Sequence, residues 1–254
     1  MLSGVDVVLG LTGVALQIVL ATVLIRQRLW RKDFPLFFVY VCYAVVDVVG
    51  LILIARFSSK QTYFAISWSA QAIYAVLGLL AMNESFHKVF RVYYLRRSWF
   101  KFLVPSVVLL ILAISTWRWL THAPIQAGRL TVAAISFDLA ANYMRCGVFG
   151  VFGILVIFWR TKWQRRPFGV MLGFGMFSIV GMIGDALRSD FGTKMTVAFT
   201  YAGVVAYIFA CVLWLQAFRH APDDKGNRPE SNVNPAELLE LLERHTEMLK
   251  RTKD

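Results

Sequence analysis

Charge is the first thing this chain is short of. Only 17% of its 254 residues are Asp, Glu, Lys or Arg, while 58% are hydrophobic and 15% aromatic; an ordinary soluble domain carries about 25% charged residues. With a mean hydropathy of +0.59, this composition excludes a soluble globular domain and points to a polytopic membrane protein. Cysteine is scarce as well. Cys42, Cys146 and Cys211 each lie inside an apolar run, with no CxxC and no His at metal spacing, so they read as small core residues. Also missing are a His-Glu-x-x-His pair for a metalloprotease, a Gly-x-Ser-x-Gly elbow, a nucleotide loop and two mid-span histidines for a haem. No metal and no cofactor is expected, and an enzyme would have no visible nucleophile.

What the chain has in abundance is apolar runs. Windows of about 20 residues, the length that crosses a hydrocarbon core, fall at 4–25, 35–55, 62–86, 102–120, 129–158, 167–187 and 195–218. The fold class is therefore all-α, a seven-transmembrane-helix bundle over residues 1–218, followed by a polar linker at 219–233 and an amphipathic helix at 234–254. The first run has Asp6 before it instead of a basic segment and no small-residue cleavage site after it, so it reads as a retained helix.

The net charge of +12 does not indicate nucleic acid, because its distribution follows the bilayer. Three loops are rich in cations: Arg26, Arg28, Arg31 and Lys32; then Lys88, Arg91, Arg96, Arg97 and Lys101; then Arg160, Lys162, Arg165 and Arg166. The alternating connections carry two each: Arg56 and Lys60, Arg118 and Arg129, Arg188 and Lys194. This bias places the rich loops in the cytoplasm, the N-terminus outside and the C-terminus inside. Trp30, Tyr93, Tyr94, Trp99, Trp159 and Trp163 then form a cytoplasmic aromatic belt, with Tyr63, Trp117 and Trp119 at the outer interface. Short connections and the lack of a glycosylation sequon in an outer loop favour a prokaryotic inner membrane. Gly147, Gly150 and Gly153 in the fifth span and Gly169, Gly173, Gly175, Gly181 and Gly184 in the sixth predict that these two helices pack tightly in the interior.

One shift lays Arg26 on Arg160, Arg28 on Lys162, Arg31 on Arg165, Lys32 on Arg166, Phe34 on Phe168 and Gly50 on Gly184. Two readings of the match stand side by side: a duplicated three-helix unit in a 3+1+3 parallel repeat, or two loops that look alike because both obey the same charge bias. In span count and orientation the first arrangement resembles the sugar transporters of the SWEET and PQ-loop kind, although their proline-glutamine motif is absent. Rhodopsins, the other seven-helix comparison, need a lysine in the middle of the last helix; Lys194 stands at its outer end.

Polar residues inside the spans are the candidate site. In FDLAANYMRCG the spacing puts Asp138, Asn142 and Arg145 on one helix face, where a charge costs roughly 2.5–3.5 kcal/mol even on a lenient insertion scale. Asp47 lies at a similar depth and is the expected partner of Arg145, leaving Asp138 for a proton-coupled or cation-binding step. Gln17, Gln71 and Tyr74 add polar atoms within the spans. At the cytoplasmic end of the third span, Asn83, Glu84 and His87 form a polar cluster, read as an interfacial helix end with a proton-sensing His87 as the sharper alternative. Asp185 and Arg188, three apart, form an outer structural pair.

Three functional classes fit these features: a small-solute or ion transporter with a polar interior site, a sensor or scaffold acting through its basic cytoplasmic face, and a membrane enzyme of unassigned reaction. The lipid bilayer is the expected environment. The helix over 235–250, with Asn234 as N-cap and Pro235 at the first position, is expected to dock on the basic loops, on lipid, on a second copy of the chain or on a cytoplasmic partner. The topology has a direct test in bacterial reporter fusions. Alkaline phosphatase fused after Ser58 is expected to be active and fused after Lys225 inactive, and the opposite pattern would reverse the assigned orientation.

Overall fold

A backbone in hydrocarbon must satisfy its own N–H and C=O groups, and every described element of this chain is accordingly helical. The computed structural model describes residues 4–57, 59–96, 98–122, 129–191 and 196–219. The elements are α1 (Gly4–Arg26), α2 (Leu29–Lys32), α3 (Pro35–Phe57), α4 (Lys60–Val89), α5 (Arg91–Arg96), a 3₁₀ turn (Ser98–Phe102), α6 (Leu103–His122), α7 (Arg129–Phe158), α8 (Arg165–Phe191) and α9 (Thr196–Arg219). Helices α1, α3, α4, α6, α7, α8 and α9 are long and apolar enough to cross a membrane, which fits an integral membrane protein with the seven expected spans. The linker after Arg219 and the amphipathic helix at 234–254 lie outside the described residues, as do the side chains of Asp138, Asp185 and Arg188.

Local chemistry sets the helix ends. Pro35 opens α3, where its missing N–H costs nothing. Ser59 caps α4 by accepting from the Thr62 N–H at 3.2 Å. Helices α1 and α7 stop in the same manner: Arg28 and Arg160, each two residues beyond the last helical one, take a left-handed backbone with φ of 54° and 44°. Such a conformation usually falls to glycine.

Helices α1, α3 and α4 pack in sequence, α4 lies against α7 and α8, α8 against α9, and α9 returns to α1. Helix α6 stands outside this ring against α7. Among the described residues the larger buried cluster lies in the half of the bundle nearest the basic loops, and it is aromatic: Phe34, Phe37, Tyr40, Phe86, Phe90, Phe100, Phe174, Trp214 and Phe218 are all buried. The expected cytoplasmic belt divides accordingly. Trp30, Trp99 and Trp163 are exposed and Tyr94 is buried, while Tyr93 stacks on Trp159 with ring centroids 4.1 Å apart.

The glycine expectation holds for α8 and needs correction for α7. A Cβ on Gly169 would run into Ala217, one on Gly173 into the Trp214 indole, and one on Gly175 into the Phe149 ring. Helix α8 is thus thinned on two sides, and its tightest approach is to α9. In α7 only Gly147 is enclosed, against Ile111 of α6; Gly150 and Gly153 have nothing within 4 Å. Because a lipid-facing glycine looks like an interior one in sequence, spacing alone could not separate them. Replacing Gly173 by Leu is expected to lower the melting temperature in detergent by about 5 °C, the effect of overpacking a tight core, while Gly150→Leu should move it by no more than about 1 °C. Equal shifts in scanning fluorimetry would contradict this packing.

Candidate functional site

Beyond the aromatic half, toward the sparsely charged helix ends, the bundle holds a cavity of about 390 Å³. Helices α1, α3, α4, α7, α8 and α9 all contribute to its wall. Glycines leave the room: Gly10 and Gly13 of α1, Gly181 and Gly184 of α8 and Gly203 of α9 line it, interspersed with apolar side chains such as Val48, Phe177 and Ile208. Its polar lining is Gln17, Gln71, Tyr74, Asn142, Arg145 and Tyr207. At ~1.5 Å of rise per residue these lie about 16–24 Å from the sparsely charged helix ends, near mid-membrane.

Arg145 is the strongest feature of this wall. Its side chain is 2% exposed, and Nη1 donates to Asn142 Oδ1 at 3.4 Å. The guanidinium carbon lies 6.0 Å from the centre of the Tyr74 ring and 5.9 Å from that of Phe177. Nε and Nη2 have no hydrogen-bond partner. Close by, the Gln17 amide donates to the Tyr207 hydroxyl, and one amide atom of Gln17 is also left without a partner. The Tyr40 and Tyr74 hydroxyls are hydrogen-bonded to each other. Tyrosine suits this boundary, since its ring joins the aromatic core while its hydroxyl turns to a polar neighbour.

The expected pairing of Arg145 with Asp47 is not formed: no ion pair joins them among the described residues. The reason is rotation about α3. Val48 lines the cavity and Asp47 does not; successive residues on a helix point about 100° apart, so the carboxylate next to a lining residue is turned aside. Asn142 and Arg145 do come together, as their spacing requires. The α7 backbone places Asp138 one turn nearer the sparsely charged end, and Asp185 and Arg188 fall in the last turns of α8.

At the basic end several polar groups are tied, while the Ser85 and Thr161 hydroxyls have no partner. Glu84 Oε2 accepts from the Phe37 N–H at 3.0 Å, capping the exposed N-terminus of α3 from the neighbouring α4. Lys88 forms an ion pair with Asp33 at 3.6 Å and sits over the Phe34 ring at 4.0 Å. His87 packs on Tyr94, ring centroids 4.4 Å apart, and Asn83 is half-buried. A second clasp was invisible in the sequence: Gln27 donates to the Phe218 carbonyl at 2.7 Å and accepts from Arg166 at 2.8 Å. It joins the ends of α1, α8 and α9. Tyr40, Tyr207 and Phe177 also escaped the sequence reading; a tyrosine inside a span, whose hydroxyl must find a partner in hydrocarbon, is the signal that could have found the first two.

Comparison with family models, with curated proteins and with solved structures finds no match for this chain. The corrected geometry of Asp47 and Arg145 has its own test. Stability changes of Asp47→Leu and Arg145→Met should add in the double variant to within ~0.5 kcal/mol, as for independent sites, and Arg145→Met alone should hold or raise the melting temperature, because it removes an unpaired buried charge. Rescue of one substitution by the other would restore the pair.

Proposed function

We propose that this protein carries a small solute across the membrane, binding it in the mid-depth cavity. The observation that carries this reading is that the cavity occupies one half of the bundle only. Below it stand the buried aromatics, with Phe37 and Trp214 edge to face at 5.3 Å and Phe174 and Trp214 at 4.9 Å. Below those, the Glu84 cap, the Lys88–Asp33 pair and the Gln27 clasp hold the helix ends. A central site sealed toward one side of the membrane fits one end state of alternating access. With the basic loops in the cytoplasm, the sealed side is the inner one, and on this reading the solute enters from outside a prokaryotic inner membrane.

A duplicated unit would supply the symmetry for the opposite state. Its support now includes the matching left-handed ends of α1 and α7 at Arg28 and Arg160, followed at equal spacing by Pro35 and Pro167. That register is two residues away from the one that matched the charged loops. A scaffold acting through its cytoplasmic face would need no polar cavity at this depth.

Proteoliposomes loaded with a mixed pool of small polar and amphiphilic organic solutes provide the test. Mass spectrometry of the outside medium should find at least one solute released faster than from protein-free vesicles. Gly13→Phe, which points a ring into open cavity space where a Cβ meets nothing within 4 Å, should abolish that release. No protein-dependent release of any solute would turn the reading toward a sensor or scaffold.

A further inference from the structure

We infer that the ligand of this cavity is a small organic monoanion, a carboxylate on a short apolar body, whose carboxylate pairs with the free edge of Arg145. The inference rests on the cavity being the solute site, and it deepens the transport reading by naming the class of solute. Four observations converge on it.

The first is the charge itself. A guanidinium cannot shed its proton in a protein, and at 2% exposure Arg145 is a permanent cation taken out of water. No ion pair neutralises it among the described residues. A feature this costly in hydrocarbon marks a functional position by default, and an incoming anion would remove the cost.

The second is direction. Nε and Nη2 are the two unpartnered nitrogens and are themselves buried, while Nη1 is held by Asn142, so a carboxylate in the cavity meets them after a small turn of the side chain. Nε and one terminal nitrogen are a fork that takes the two oxygens of a carboxylate side by side. Asn142, fixed in turn where Gly181 lets α8 come close to it, and the rings of Tyr74 and Phe177 limit how far the fork can turn.

The third is the sign and number of charges. Among the described residues that line the cavity there is no carboxylate, and Arg145 is the one cation. One fixed positive charge neutralises one negative charge, so a dianion would remain unbalanced and an amine would be repelled.

The fourth is shape. About 390 Å³ is the volume of about 13 waters, too large for a halide and at the lower end of small-molecule pockets. Around these polar groups the wall is Leu9, Val14, Val48, Phe177, Val204 and Ile208. These residues favour an aliphatic or aromatic body over a sugar or a peptide.

The same chemistry could come from the phosphodiester of an anionic lipid reaching in from the bilayer, and the test separates the sources. The full chain in phosphatidylcholine nanodiscs is titrated with 4-phenylbutyrate, its amide and its amine, reading the melting temperature. The carboxylate should raise it by several degrees with saturation, and the amide and amine should do little. Arg145→Gln should lose the carboxylate response. Arg145→Lys, which keeps the charge but not the fork and serves if the glutamine variant does not fold, should bind at least tenfold more weakly. An equal response to carboxylate and amide, or an unchanged response in either variant, would overturn the proposal. So would phosphatidylglycerol discs that reproduce the stabilisation and leave 4-phenylbutyrate without effect, since the anion would then be a headgroup. Binding without flux in proteoliposomes would defeat transport but leave the anion site standing. Flux of neutral solutes alone, with no carboxylate binding, would do the reverse.

Discussion

The indole of Trp214 lies where a side chain at Gly173 would have to be, and this close approach of α9 to α8 organises the middle of the molecule. In hydrocarbon the indole N–H needs a partner, and it donates to the Val170 carbonyl at 3.2 Å, within the same helix that makes room for the ring. The rest of the indole is free to act as an apolar surface. Phe37, Tyr40 and Phe174 crowd its edges and faces, and Phe37 stacks in turn on Phe218. The result joins α3, α8 and α9 by a layer with few polar atoms. Water and ions find no partner there, which is why the cavity above it has a floor.

Two ways of handling polar groups meet across that layer. Toward the basic loops, orphan groups find partners on other helices: an amide at the start of α3 goes to Glu84, a carbonyl near the end of α9 goes to Gln27, and Gln27 is itself held by Arg166. Bonds of this kind tie helix ends whose apolar faces give little preference for one neighbour over another in lipid. Buried atoms without partners occur on both sides, at the Ser85 and Thr161 hydroxyls near the basic loops and at Arg145 and Gln17 beside the cavity, and of these four residues Arg145 alone is charged. An unsatisfied hydroxyl costs little beside an unsatisfied guanidinium, so the buried edge of Arg145 is the one that a ligand would relieve most.

How much of this could be read from the sequence depended on range. Span number and the start of α3 are local, written in apolar length and in Pro35, and they were legible; the Ser59 cap of α4 was not read. The polar face of α7 was legible too, because Asn142 and Arg145 are neighbours on one helix. What could not be read was rotation between helices. In a soluble helix an apolar stripe marks the inner face; in these spans the lipid face is equally apolar, so nothing in VVDVVG says that Val48 faces the cavity and Asp47 does not. The same blindness merged the enclosed Gly147 with the open Gly150. Contacts between distant helices, such as Gln17 with Tyr207 or Gln27 with Phe218, have no signature short of the fold itself.

Turning Asp47 aside changes the sign of the site, and with it the energetics of any transport cycle. A site holding an arginine and an aspartate would be neutral when empty and would gain charge on taking up a cation. A site in which Arg145 is the one charge, as it is among the described lining residues, is positive when empty and neutral when loaded with a monoanion. Moving one charge across the membrane potential is worth about 2.3 kcal/mol per 100 mV. On the anion reading, the loaded bundle would therefore change state with no net charge in its centre, and the burial of the arginine would be offset by the solute it carries. The empty bundle would have to move the cation by itself, so voltage would act on the return step and not on the loaded one. The same asymmetry disfavours empty cycling, because only the anion relieves the charge that hydrocarbon penalises.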